Sequence, residues 1–165
     1  MDSTNKIPAF VCDENLGKLT RYLRVGGFDT YFENPISDSE LIRVSLDEGR
    51  VILTRDRRLI ERRLVREYIL IESDHWPDQL RQVMNKYNLV FSRERMFTRC
   101  LEDNAITFPV SKESAAGKVP PYTFKTHDNY RECPRCGRVF WDGTHTQAMI
   151  RRLVRNGFKL PDWVK

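Results

Sequence analysis

The first 92 residues repeat one pattern: a short, continuously apolar run, then apolar residues at helical spacing. This alternation constrains the fold more than any other feature. Pro8–Cys12 reads as a strand running into Asp13, and Leu16, Leu19, Leu23 and Val25 follow at a helical period that Gly26-Gly27 stops. Thr30–Glu33 is a second strand, closed by Asn34-Pro35. Ser37-Asp38-Ser39-Glu40 matches a capping box opening a helix through Leu46, with Gly49 as its stop. Val51-Ile52-Leu53 has no polar face, the pattern of a strand covered on both sides. Past Asp56, Leu59–Val65 reads as a short basic helix, Tyr68–Ile71 as a fourth strand, and Pro77 opens a helix carrying Leu80, Val83, Met84 and Tyr87. Strands alternating with helices predict an α/β unit with a parallel sheet of about four strands flanked by helices.

In such sheets ligands gather outside the carboxyl ends of the strands. The acids expected there are Asp13, Asp38, Asp56 and Asp74, after strands one to four. Taken singly, Asp13, Asp56 and Asp74 each suit a helix N-cap. Asp38 does not, because Ser37 already supplies the capping hydroxyl. Several carboxylates on one edge repel one another unless a cation is bound. Hard divalent ions such as magnesium or manganese suit an all-oxygen set, and phosphodiester hydrolysis uses it. A phosphoacceptor receiver domain also keeps acids at these strand ends, with Asp13-Glu14 as its pair, Asp56 as phosphoacceptor and Ser73 as switch hydroxyl. That reading requires a lysine delivered to the same edge, for which Val110-Ser111-Lys112 is a loose substitute, and it leaves Asp38 without a role.

After Leu89 the alternation fails. Ser92–Lys125 is polar and turn-rich, and Gln147–Arg155 reads as a basic helix. Residues 1–92, the expected first domain, hold 14 Lys/Arg against 15 Asp/Glu, whereas 93–165 hold 14 against 8. A near-neutral half joined to a basic one suits an anionic partner. Cys133-Pro134-Arg135-Cys136-Gly137 places two thiolates to bite one zinc ion, with a glycine letting the backbone turn. Cys100 is the expected third ligand, since Cys12 falls on a buried-looking strand; the fourth is open between Asp103, His127 and His145. No stretch approaches the roughly 20 apolar residues of a membrane span. Met1–Lys6 lacks a signal peptide's apolar centre, so the expected compartment is the cytoplasm, with no membrane partner.

Many ordered segments resemble the Mut-seven carboxy-terminal RNase domain family, a PIN-like nuclease fused to a zinc ribbon. They are Asp13–Leu19 with Tyr22-Leu23-Arg24, Gly27–Thr30, Asp38–Leu41, Gly49–Asp56, Arg99-Cys100, Val110-Ser111-Lys112, and Cys133 through His145. The resemblance runs from about Phe10 to about Met149 and implies a PIN-like domain at 1–92 and a zinc-ribbon-like basic module with a C-terminal helix at 93–165. It implies ribonuclease activity, with Asp13, Asp38 and Asp56 as the catalytic, magnesium- or manganese-binding acids, and structural zinc at Cys100, Cys133 and Cys136, with Asp103 either the fourth ligand or the departure that weakens or loses the site. In the family a second cysteine stands three residues after the first; here Asp103 occupies that place.

RNA is the expected partner. Arg55, Lys18 and Arg21 are candidate phosphate contacts beside the acids, and Arg135, Arg138, Arg151, Arg152 and Arg155 in the basic half. Trp141 is expected to pack the ribbon's small core. The alternative within nucleic-acid biology is a catalytically silent RNA-binding module.

Overall fold

The computed structural model describes residues 6–163; the polar N-terminal stretch, Lys6 apart, lies outside them. The apolar runs form β1 (Phe10–Cys12), β2 (Thr30–Phe32), β3 (Val51–Thr54) and β4 (Tyr68–Leu70). They pair in parallel in the order β2-β1-β3-β4. Between and after them run α1 (Gly17–Val25), α2 (Asp38–Glu48), α3 (Arg57–Ile60) and α4 (Trp76–Lys86). Side chains alternate across the sheet as the pleat requires. Phe10, Cys12, Val51, Leu53 and Ile69 meet α1 and α4 on one face, while Val11 and Ile52 meet α2 and Leu59 on the other. The continuous apolar run at β3 is buried at every position, as a strand with helices on both faces must be.

Local chemistry sets the ends. Ser37 caps α2 by accepting the Glu40 amide at 3.2 Å, and Gly49 closes it at a φ of 63°. Gly27, at a φ of 80°, turns the chain out of α1 with its α-carbon against the Arg95 carbonyl, leaving no room for a side chain. The expected helix at Leu59–Val65 is instead the shorter α3, starting two residues earlier. Only Leu59 of α3 is buried and Leu64 is 58% exposed, while Val65 packs against the core without being part of a helix.

The polar stretch after Leu89 holds more order than its composition suggests. β5 (Phe108–Val110), β6 (Tyr130–Glu132) and β7 (Val139–Phe140) form an antiparallel sheet in sequence order, with α5 (Lys112–Ala115) and α6 (Pro121–Thr126) between β5 and β6. Pro109 is tolerated because β5 is an edge strand. Ala115, Val119 and Tyr130 make a small core, with Trp141 packed against it. The last helix, α7 (Thr144–Arg155), begins three residues before the expected Gln147. Its Met149 and Leu153 belong to the main core, with Phe10, Leu23 and Leu80. The basic tail helix is thus a structural part of the first half's hydrophobic layer.

A polar staple adds to this packing. Arg50 donates to Asp29, to Glu48 and to the Phe10 carbonyl, and Asn104 donates to Asp29 at 2.7 Å. Burial raises the Asp29 pKa, but the bonds from Arg50 and Asn104 outweigh it and hold the carboxyl below the ordinary value.

Leu153→Ala, at a fully buried site, should lower stability by about 2–5 kcal/mol, and near-ultraviolet and far-ultraviolet circular dichroism should show one shared urea transition; loss of α7 signal alone would refute a common core. The Asp29 contribution is present above the ordinary carboxylate pKa of about 3.9 and fades as pH falls through its lower folded value. The stability gap between the parent and Asp29→Asn should therefore narrow on acidification, read by urea unfolding across that range.

Candidate functional site

The chain leaves β1 for β2 on one side, then crosses back to β3 on the other. The helices of these two crossovers, α1 and α2, cover opposite faces. A crevice therefore opens at the carboxyl ends of β1 and β3, the switch point where α/β sheets bind ligands. Asp13 and Asp56 follow these two strands. The Asp13 amide donates to the Leu53 carbonyl at 3.0 Å, extending the ladder. The hydroxyl of Thr54, fully buried, donates to Asp13 Oδ2 at 2.7 Å and accepts from the Asp56 amide at 3.0 Å. One side chain thus fixes the Asp13 carboxylate and the backbone that carries Asp56.

Capping and ligand binding turn out to be compatible roles. Asp13 Oδ1 accepts the Glu14 amide and Asp56 Oδ1 the Arg58 amide, both at 2.8 Å. A carboxylate has about four acceptor sites, so lone pairs remain on each. Asp38 opens α2 while Ser37 does the capping, and its Oδ2 takes Arg62 at 2.7 Å. Asp74 is largely exposed, with the His75 ring beside it at 3.6 Å. Arg55 is exposed between Thr54 and Asp56, and Lys18 is exposed on α1. Lys112, the lysine a receiver domain would bring to this edge, follows β5 in the other sheet and pairs with Asp128 at 2.8 Å.

Among the described residues, the one group of at least three Cys, His, Asp or Glu side chains close enough to hold a metal ion is Cys100, Asp103, Cys133 and Cys136. Their donor atoms all lie within 4.8 Å of one another. Cys100 and Cys136 sulfurs are 3.8 Å apart, and Cys133 Sγ lies 3.3 and 3.4 Å from the two Asp103 oxygens. A tetrahedral ion about 2.3 Å from sulfur and about 2.0 Å from oxygen sets edges of about 3.8 Å and 3.5 Å. The cluster fits a metal such as zinc. Amides of Arg135 and Cys136 point at Cys133 Sγ at 3.4 and 3.5 Å, and Gly137 turns the knuckle at a φ of 71°.

The fourth position falls to Asp103. His127 is engaged elsewhere, with Thr126 and the Asp142 carbonyl, and His145 is exposed on the first turn of α7. Burial raises the Asp103 pKa, but the Ala105 amide and the neighbouring thiols outweigh it and hold the group below the ordinary value, so it enters as a carboxylate. Burial pushes the Cys100 thiol up to about 12 and raises that of Cys133. A bound cation reverses that balance in favour of thiolates. Cys12, on β1, is likewise pushed up to about 12 by burial and belongs to the core.

Two side chains that the sequence did not mark tie this loop to the sheet. Arg24, buried on α1, donates to the Thr30, Leu101 and Glu102 carbonyls, each at 3.0 Å. Asn104, at a φ of 70°, accepts the Thr30 amide at 2.9 Å besides bonding Asp29. Arg21 and Arg138 both face Glu102, at 3.8 and 3.1 Å, and the Arg135 guanidinium donates to the Asp103 carbonyl. Arg151, Arg152 and Arg155 are exposed on α7.

The family model of the Mut7-C RNAse domain matches residues 8–153. No curated protein and no solved structure matches the chain.

Protein reconstituted with cobalt(II) should bind one thiolate-ligated ion per chain, read from its charge-transfer absorption. Asp103→Ala should weaken binding beyond the about 10–100-fold that removal of an outer-shell partner costs, and Asp103→Cys should restore it. Equal affinity in parent and Asp103→Ala would remove the carboxylate from the ligand set.

Proposed function

The chain belongs to the Mut7-C RNAse domain family, and we propose that it is a PIN-like ribonuclease that hydrolyses phosphodiester bonds with magnesium or manganese at Asp13, Asp38 and Asp56. The family makes it a nuclease with RNA as its substrate class. The observation that carries the finer reading is the Asp13–Thr54–Asp56 unit at the strand-order reversal. A buried hydroxyl that orients the Asp13 carboxylate and anchors the backbone of Asp56 suits ligands that must hold their geometry, as outer-shell partners do for metal carboxylates.

Asp13 and Asp56 would hold the ion, with waters completing the oxygen set and Asp38 acting through one of those waters. Bound there, a divalent ion lowers the pKa of water to give a nucleophile and offsets charge on the leaving oxygen. Thr54 keeps Asp13 from rotating, and its bond from the Asp56 amide fixes the turn out of β3. Arg55 stands where a guanidinium can meet a phosphate. The Cys100, Asp103, Cys133 and Cys136 group would hold a structural zinc ion, and exposed Arg151, Arg152 and Arg155 would give α7 a further contact with RNA. Among the described residues no helix is long and apolar enough to cross a membrane. The proposed compartment is the cytoplasm, where thiols such as these stay reduced.

Cleavage of labelled single-stranded RNA in manganese or magnesium tests this. Asp13→Asn and Asp56→Asn should each lower the rate by more than about 100-fold, and Thr54→Val by about 10–100-fold, the range for a residue that orients a ligand. RNA binding without metal-dependent cleavage by the parent would make the chain a silent binding module instead.

A further inference from the structure

The basic half does not present all its charge to a ligand. Arg21 and Arg138 share Glu102, Lys118 pairs with Glu132 at 2.7 Å, and Lys112 pairs with Asp128. Three thiolates and a carboxylate around one divalent ion would leave that centre two charges negative, and the Arg135 guanidinium meets it at the Asp103 carbonyl. Lys112, Lys118, Arg135 and Arg138 of this half are thus engaged with partners inside it.

The opposite holds for the segment leaving β3. Residues 55–63 carry five arginines against Asp56 and Glu61. Arg55, Arg57, Arg58, Arg62 and Arg63 are all exposed. Arg62 is the one with a carboxylate at salt-bridging distance among the described residues, and that carboxylate is Asp38. The segment is bracketed by two of the edge acids: Asp56 caps α3 within it, and Arg62 reaches across to Asp38. Arg55 and Arg57 also line a cleft with Leu70, Ile71 and Glu72 beyond β4. Unneutralised guanidiniums are costly to gather beside one another, and phosphate is the ligand whose geometry their planar fork matches.

We infer that Arg55, Arg57, Arg58, Arg62 and Arg63 form the main phosphate-binding strip, gripping the backbone of single-stranded RNA alongside Asp56 and Asp38. The inference rests on RNA being the substrate. It moves the principal grip from the Cys-containing half to the acid-bearing half, so that the strand is held next to the bond to be cut. Arg62 uses one nitrogen on Asp38 and keeps the rest of its fork for a phosphate.

The test is fluorescence anisotropy of a labelled oligouridylate against salt, in full-length protein carrying Asp13→Asn so that no strand is cut. Replacing Arg57, Arg58 and Arg63 with Gln should weaken binding at least about tenfold and lower the log–log salt slope by about 2, because each phosphate neutralised on a single strand contributes ~0.7 to that slope. Replacing the same three with Lys should keep most of both, and circular dichroism should show each variant folded. Replacing Arg151, Arg152 and Arg155 with Gln should cost less. Unchanged affinity and slope in the first variant, or a larger effect in the α7 variant, would overturn the strip, as would a parent that does not bind the oligomer. Strip-dependent binding with no cleavage by the wild-type chain in manganese would instead overturn the nuclease reading and leave the strip in place.

Discussion

The hydroxyl of Thr54 is where the strand order of this fold becomes chemistry. Parallel strands ordered β2-β1-β3-β4 leave a crevice between the ends of β1 and β3, where the backbone ladder runs out. Thr54 bridges that gap by donating to Asp13 and accepting from Asp56. Because Thr54 is fully buried, the hydroxyl would cost free energy if unpaired, so the acids and the strand ends hold each other in place. The arginines of the following segment, the cap of α3 and the reach of Arg62 to Asp38 all descend from that turn.

The second constraint is the loop from Cys100 to Asn104. It supplies two of the metal-site donors and, through its carbonyls and Asn104, satisfies the buried Arg24 and the first amide of β2. A buried arginine is sustained only where its donors are paired, and Arg24 has three carbonyl partners to do so. Order at the metal loop and order at the start of β2 are therefore one condition. Together with Met149 and Leu153 in the main core, this makes the two charge-asymmetric halves mechanically interdependent.

What was legible in the sequence was whatever short-range chemistry dictates. The unbroken apolar run at β3, the capping box at Ser37 and the glycine at Gly49 each carried their own signal. The Cys-x-x-Cys knuckle did so too, and the spacing of Asp103 from Cys100 kept that aspartate among the candidate ligands that the fold then narrowed to one. The length of α3 was not legible, because Val65 reaches the core from outside a helix and Leu64 faces solvent, which helical spacing does not foretell. β5 was hidden by Pro109, harmless only at an edge that the sequence does not reveal. Arg24 reads as one more charged helical residue; its partners lie 77 and 78 positions away, a distance over which no periodicity speaks. The bracketing of residues 55–63 by two acids was invisible for the same reason, since Asp38 precedes Arg62 by 24 positions.

The carboxylate at Asp103 gives the Cys-containing site a harder donor set than four sulfurs would. Soft thiophilic ions such as copper(I) gain less from a carboxylate oxygen than from a fourth thiolate, whereas zinc accepts either. One fewer ligand can also be carried up the ladder from sulfenic to sulfonic acid. With zinc bound there, the departure at this one position would offer copper one thiolate fewer, and an oxidant one sulfur fewer, than an all-cysteine ribbon of the same shape.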